Sequence, residues 1–338
     1  MMARAPVSVV TGFLGSGKTT LLNRLLREPE MRGAAVIVNE FGEIGIDHLL
    51  VEAAIEDAVL LRSGCICCSV RGDLVDTLGS LEERRAGGAL PGFDRVLVET
   101  TGLADPAPIL QTLMSDPTLV PRYRLGAVIA TVDAVNAAGQ LAAFGEAAKQ
   151  VAVADRLALT KTDLVDAAAV EAVVARLRAL NPTAPLARLP GETVAPAALF
   201  PTTPFDPSSK PPDVQRWLAA PESGHEHAHD HQSRHDAAIR SFCITLDDPV
   251  PWQAFKAWLE SVASLRGSDL LRLKGLVNVA GESRPIAVHG VQHVFHPPTR
   301  LAAWPDADRR TRLVFITRNI DAAPLAAALH AVIARATP

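Results

Sequence analysis

The sequence predicts an α/β protein whose mostly parallel sheet is covered by helices on both faces, followed by a small α+β unit. Three observations carry that expectation. An apolar run, Val7-Ser8-Val9-Val10-Thr11, passes through a glycine-rich loop into a stretch with helical spacing, Leu21, Leu22, Leu25 and Leu26 forming one face. Further short apolar runs then alternate with helix-like stretches, as in a parallel sheet with crossover helices. Beyond a change of composition, the last hundred residues read β-α-β-β-β-α. The expected boundaries are 1–205 for the first domain, 206–236 for a Pro/His-rich flexible linker, and 237–338 for the second domain.

The loop after the first run is Gly12-Phe13-Leu14-Gly15-Ser16-Gly17-Lys18-Thr19, which fits G-x-x-x-x-G-K-[ST] with a strand before it and a helix after it. Glycines let such a loop curl until several N–H groups point at one anion, at the positive end of a helix. Gly12, Gly15, Ser16, Gly17, Thr19 and Thr20 are therefore candidate nucleotide contacts. Lys18 would reach the β- and γ-phosphates, and the Thr19 hydroxyl would sit on Mg²⁺. The expected domain is a P-loop NTPase domain.

The 338 residues are 48% hydrophobic and 21% charged, with net charge −4, so no basic field favours nucleic acid or an anionic membrane. No apolar run approaches the roughly 20 residues of a membrane span. The N-terminal Met1 to Pro6 runs straight into the first strand, so no signal peptide is expected and the expected location is cytoplasmic.

Ala34 to Asn39 reads as the next buried strand, ending in Glu40-Phe41-Gly42-Glu43-Ile44-Gly45-Ile46-Asp47, a candidate γ-phosphate switch. A strand at Ala58 to Leu61 leads into Cys65-Ile66-Cys67-Cys68, so three of the four cysteines fall within four residues. That spacing is useless as a disulfide framework and suits metal or redox chemistry. Three thiolates would give a zinc-like site with one position open, and soft sulfur selects Zn²⁺ or Cu⁺ over Mg²⁺, with cobalt and nickel also open. Buried small hydrophobes or a redox pair are the other readings. Cys243 is expected in the core.

A helix at Val70 to Arg85 precedes the strand Phe93 to Val98, which ends in Glu99-Thr100-Thr101-Gly102. Glu99 has the place of a Walker-B acid, and the Gly102 N–H could contact a γ-phosphate. A strand at Leu125 to Val132, a helix at Ala134 to Val151, and a strand at Asp155 to Leu159 lead to Thr160-Lys161-Thr162-Asp163. Asp163 can accept from both N1–H and the 2-amino group of guanine, a pair adenine lacks, while Lys161 would cover the base. Capping the following helix is the other role open to Asp163. The sheet is completed by a helix at about Ala167 to Leu180 and a strand at Pro185 to Leu189.

His225, His227, His229, His231 and His235 crowd the linker together with two acids, a tract able to capture a divalent ion weakly. In the C-terminal unit, expected elements are Arg240–Leu246, the helix Pro251–Leu265, strand-like runs at Leu270–Val279, Pro285–Phe295 and Arg312–Thr317, and the helix Pro324–Ala336. His289 and His293 would lie about 13 Å apart along one strand, too far to share an ion without a turn, and are read as surface or partner-facing residues, with core packing as the default. Trp252, Trp258 and Trp304 are the expected anchors of its core.

Taken in order, the P-loop, Asn39-Glu40-Phe41-Gly42, Gly64-Cys65-Ile66-Cys67-Cys68, Glu99 to Pro106, Thr160 to Asp163, the His-rich linker and Lys274-Gly275 through His293 resemble the CobW-like GTPases. These are relatives of the nickel-inserting hydrogenase and urease accessory GTPases. The resemblance implies a GTP-driven metallochaperone, with zinc the commonest cargo and cobalt a recorded one. It implies that Cys65, Cys67 and Cys68 hold the cargo, with Glu40 or Glu43 helping. It also implies a client metalloprotein as partner, and leaves room for a nucleotide- or metal-dependent dimer. Thr160, where the family pattern has Asn, is a departure. A metal-storage protein with a vestigial nucleotide site, a cobalt chaperone for cobalamin synthesis, and a small-molecule kinase are the competing readings.

Overall fold

The computed structural model describes residues 4–38, 59–62, 70–191, 195–200 and 239–336. The candidate switch at Asn39 to Asp47 with Glu40 and Glu43, the triplet Cys65, Cys67 and Cys68, and the linker with His225, His227, His229, His231 and His235 lie outside the described residues. The chain splits into two compact units, Met1–Val174 with Pro185–Pro204, and Ala175–Ala184 with Phe205–Pro338.

Among the described residues the first unit is built on seven parallel strands: β1 (Ala5–Gly12), β2 (Ala34–Val38), β3 (Val59–Arg62), β4 (Arg95–Glu99), β5 (Tyr123–Asp133), β6 (Arg156–Thr160) and β7 (Leu186–Arg188), in the order β3-β2-β4-β1-β5-β6-β7. Every residue of β2 is buried, which explains its unbroken apolar text: a strand covered on both faces has no reason to alternate. Helix Lys18–Leu26 lays Leu21, Leu22, Leu25 and Leu26 over Val10, Val36, Leu97 and Ile129. Beside β1, strand β5 takes an extra residue between the pairs Val7↔Leu125 and Val9↔Val128, and the Ser8 hydroxyl accepts the Ala127 N–H there.

The stretch expected to carry alanine-rich helix, Ala134 to Val151, forms two helices, Ala137–Ala143 and Gly145–Val153. Phe144 between them is extended (φ −128°, ψ 109°), with its ring against Phe13 at 4.7 Å. A tertiary ring contact has won over alanine's helix propensity.

The second unit is antiparallel: β8 (Ile239–Leu246), β9 (Leu270–Val277), β10 (Ile286–Val291), β11 (Val294–Phe295), β12 (Thr299–Arg300) and β13 (Thr311–Arg318). The strands run β11-β10-β9-β13-β8, with β12 on β10. Helices Trp252–Arg266 and Ala322–Ala336 pack Phe255, Trp258, Leu325 and Leu329 against Phe242, Leu273, Leu313 and Phe315. Three expectations need correction. Pro285–Phe295 is a hairpin, not one strand, because Gln292 takes a left-handed turn (φ 52°). His289 and His293 are therefore on different elements, and each is bonded within the unit. The Nε2 of His289 is 3.1 Å from the Arg272 guanidinium, and the Nδ1 of His293 is 2.9 Å from the Ala263 carbonyl. Trp304 is not a core anchor: it lies outside the cluster and donates from its indole to the Ser283 carbonyl. Cys243 is half-buried, on a strand whose neighbours Phe242 and Ile244 point into the core.

Phe315 is fully buried, 5.4 Å from the Phe242 ring and 6.2 Å from that of Trp258. Truncation to Ala should cost the second unit about 3–5 kcal/mol, read as a lowered urea midpoint in Trp fluorescence.

Candidate nucleotide site

Parallel strands end at a common edge, and the P-loop, Glu99 and Thr160 lie at the ends of β1, β4 and β6. β1 stops at Gly12, and the chain turns through Phe13 to Gly17 before helix Lys18–Leu26 begins. Gly12 has φ 142°, and a Cβ on it would lie 2.3 Å from the Thr131 hydroxyl and 2.7 Å from that of Ser16. No other residue fits. Gly15 (φ 70°) and Gly17 (φ 88°) take the positive-φ backbone that curls the loop. The buried Ser16 hydroxyl is 2.6 Å from that of Thr131, fixing the loop to β5. Thr20 is exposed on the first helical turn.

The Lys18 ammonium is buried and donates to the carbonyls of Gly12 (3.0 Å) and Phe13 (3.3 Å), folding over its own loop. The Thr19 hydroxyl donates to Glu99 Oε1 at 2.7 Å. Glu99, only 5% exposed, ends β4 opposite Val10. Two hard oxygens, one on the first helical turn and one at the end of β4, suit a Mg²⁺ ion beside the loop. The donor set fits the expected group.

The loop after Glu99 is tied down on both sides. A Cβ on Gly102 would sit 2.7 Å from the Leu14 nitrogen, so this glycine abuts the P-loop backbone. From helix Gly145–Val153, the buried Gln150 side-chain amide donates to the carbonyls of Gly102 (3.1 Å) and Ala104 (3.0 Å). One residue earlier, Lys149 pairs with Asp105 at 3.2 Å. Sequence reading missed this strap, since nothing in an alanine-rich helix marks one glutamine as inward-facing.

Thr160 accounts for the departure from Asn. Its hydroxyl lies 2.8 Å from the Ser16 carbonyl and 3.1 Å from that of Val132, donating to both across one shared hydrogen. It holds the P-loop against β5 and β6, a task that needs one donor. Lys161 is left-handed (φ 58°) and its ammonium reaches Asp133 at 2.7 Å. Asp133, 1% exposed, also accepts from Asn136 and from the Val135 N–H. Burial pushes its carboxyl up, but Lys161, Asn136 and Val135 together hold it below the ordinary value. The sequence marks Asp133 only weakly, as an acid two residues past an apolar strand's threonine. Asp163 is exposed in the short turn Thr162–Leu164 and does not cap the next helix. Asp166 holds that place, accepting the Ala169 N–H at 2.7 Å.

Among the described residues, no group of three or more His, Cys, Asp or Glu could hold a metal ion, and no helix is long and apolar enough to cross a membrane.

Comparison with known proteins matches residues 6–188 to the family described as CobW/HypB/UreG, nucleotide-binding domain, and residues 239–333 to the cobalamin synthesis protein cobW C-terminal domain. The chain is 36% identical over 310 residues to the zinc chaperone YjiA of Escherichia coli, covering 92% of this chain and 93% of that one. It is 32% identical over 372 residues to the zinc chaperone CobW of Pseudomonas aeruginosa, covering 98% and 92%. The crystal structure of Zn(II)-bound YjiA GTPase from E. coli matches with a TM-score of 0.73 at 30% identity, over 98% of this chain and 99% of that one.

Two outcomes are expected. Thr160→Val leaves the Ser16 carbonyl without its donor and should weaken guanine-nucleotide binding about fivefold to thirtyfold, with Thr160→Asn restoring it, as measured by fluorescent GDP titration. The depressed carboxyl of Asp133 stabilises the fold above the unfolded value near pH ~4, and that contribution is lost as pH falls through the folded value. The gap in urea midpoint between wild type and Asp133→Asn should therefore be full at neutral pH and close in acid.

Proposed function

The chain belongs to the CobW/HypB/UreG family, and from that membership we propose that it is a GTP-hydrolysing metallochaperone carrying Zn²⁺ to a client metalloprotein. The observation that carries the GTPase half is the Thr160 hydroxyl bonded to the Ser16 carbonyl. It fastens the guanine-reading loop to the phosphate loop, so Asp163 and Lys18 address two ends of one ligand. The zinc half is supported by the likeness, over nearly their whole length, to the zinc chaperones YjiA and CobW.

In this reading Asp163 accepts from the guanine edge, and Lys161 covers the base while Asp133 holds it in place. Lys18 turns from the Gly12 and Phe13 carbonyls to the β- and γ-phosphate oxygens, exchanging neutral acceptors for charged ones. Thr19 and Glu99 would hold Mg²⁺, which would supply charge neutralisation at the phosphates. Glu99 would also orient the attacking water, and Gly102 offers its N–H to the γ-phosphate. Gln150 keeps that N–H in place. Cys65, Cys67 and Cys68 would hold the cargo ion, with Glu40 or Glu43 completing the site and the histidines 225, 227, 229, 231 and 235 capturing metal weakly. The switch at Asn39 to Asp47 would close on GTP and set the cysteine geometry. Co²⁺ is a second candidate cargo, the client docks on the C-terminal unit, and dimerisation would follow nucleotide or metal. A cytoplasmic location fits a cargo held by reduced thiols.

Coupling requires that metal and nucleotide change each other's affinity by one common factor. Zn²⁺ and Co²⁺ titrations with and without a non-hydrolysable GTP analogue should show an affinity difference that vanishes in Cys67→Ala. Equal Zn²⁺ affinity in both nucleotide states would end the proposal. Lys18→Ala should abolish hydrolysis. Gln150→Leu, which unties Gly102, should lower kcat about tenfold or more with little change in GDP affinity, measured by phosphate release.

A further inference from the structure

From the end of β6 into the turn that carries Asp163, the chain is fastened at both ends to one residue of another strand. The Leu189 N–H donates to the Leu159 carbonyl at 2.7 Å, and the Leu189 carbonyl accepts the Thr162 N–H at 3.0 Å. The Thr162 hydroxyl donates to that same carbonyl at 2.8 Å. A carbonyl oxygen has two lone pairs, so it takes both donors at once. Leu189 follows β7 directly, and its side chain is buried in the core cluster with Ala158, Leu199 and Phe200, which sets the anchor in the core.

Between the two fastenings the chain must leave the sheet and return within Thr160 and Lys161. Lys161 does so with a left-handed backbone (φ 58°), which a Cβ makes costly. The next turn, Thr162–Leu164, closes as the Lys161 carbonyl accepts the Leu164 N–H at 3.1 Å. Asp163 sits in that turn, one residue past the fastening, and is exposed. The motif Thr160-Lys161-Thr162-Asp163 asks nothing of its third place, yet here that residue's N–H and hydroxyl converge on one carbonyl.

We propose that Thr162 is a positioning residue for guanine specificity. By doubling the bond to Leu189 it holds the Asp163 turn where one carboxylate meets both N1–H and the 2-amino group. The inference rests on the reading of Asp163 as the guanine acceptor. A two-point contact fails at smaller displacements than a one-point contact, because both oxygens must keep their alignment. Hypoxanthine lacks the 2-amino group and leaves Asp163 one donor, and adenine offers none at N1. Thr162 therefore acts on the preference among bases, while Lys18 and the P-loop carry phosphate binding.

The test measures GDP, IDP and ADP affinity of the full chain with Mg²⁺, by competition against fluorescent GDP, in wild type, Thr162→Val and Thr162→Ser. Valine keeps the shape and the backbone N–H bond and removes only the hydroxyl. GDP affinity should fall about threefold to tenfold in Thr162→Val. IDP affinity should change less and ADP affinity should stay as in wild type, so the preference for GDP over IDP narrows. Thr162→Ser, which keeps the donor, should restore it. Thr162→Ala removes the same donor without a branched side chain, and keeps the test valid should Thr162→Val fail to fold. An equal loss for all three nucleotides, an unchanged GDP-to-IDP ratio, or a serine variant no better than the valine one would overturn the proposal. A wild-type chain that binds GDP and ADP alike would overturn the guanine reading itself, and this proposal with it.

Discussion

Strand β1 lies between β4 and β5, and the register of those pairings decides which side chains meet the ligand. Val10 pairs with Glu99, and Gly12 pairs with Thr131. The first pairing brings Glu99 within hydrogen-bond reach of the Thr19 hydroxyl, at 2.7 Å; the second presses the loop's first glycine onto a hydroxyl. A slip of one residue would send Glu99 to the other face of the sheet, into the helical layer. The Ser8 hydroxyl at the β5 bulge works against such a slip, since it satisfies the N–H that the extra residue frees. The apolar core and the polar site are thus settled by one set of backbone hydrogen bonds.

The P-loop's shape is held by contacts within the protein. Converging N–H groups and a buried ammonium would repel one another, and here Lys18 turns to the loop's own carbonyls. Ser16, Thr131 and Thr160 brace the same turn from behind. A frame already ordered loses less entropy when the phosphates arrive. The same logic explains why Thr can stand where the family pattern has Asn. The bracing needs one donor at the right height above β6, and a hydroxyl on a β-branched side chain, stiff at χ1, provides it.

Most of the framework was legible because parallel buried strands and amphipathic helices leave strong periodic traces. β2, β4, β6 and helix Ala167–Leu180 fall within a residue or two of where apolar runs predict them. What was not legible depends on contacts distant in sequence. The break at Phe144 comes from a ring 131 residues away, the turn at Gln292 from a left-handed residue that is not glycine, and the tether at Trp304 from a carbonyl 21 residues back. In the site, glycine, lysine and threonine positions follow from motif spacing. The partners that aim them, Asp133, Thr131 and Gln150, are single polar residues in apolar surroundings. No period or spacing marks them.

The sheet order also bears on how a nucleotide and a cysteine-held ion could communicate. β3 pairs with β2 at Arg62↔Val38, and the same Val38 pairs with Glu99 of β4. Arg62 and Glu99 are thus two strand spacings apart, about 10 Å. Cys65 is three residues beyond Arg62, a reach of at most about 11 Å of chain. Asn39 follows Val38 directly, so the strand between the two chemistries is the one that continues into the candidate switch. A rigid sheet does not move with the nucleotide, and it need not. It holds three loop origins, after β2, β3 and β4, on one edge, so a change in the middle loop has neighbours on both sides. Coupling over that span asks only for two alternative packings of one loop. The charge that appears and disappears at the γ-phosphate is large enough to choose between them.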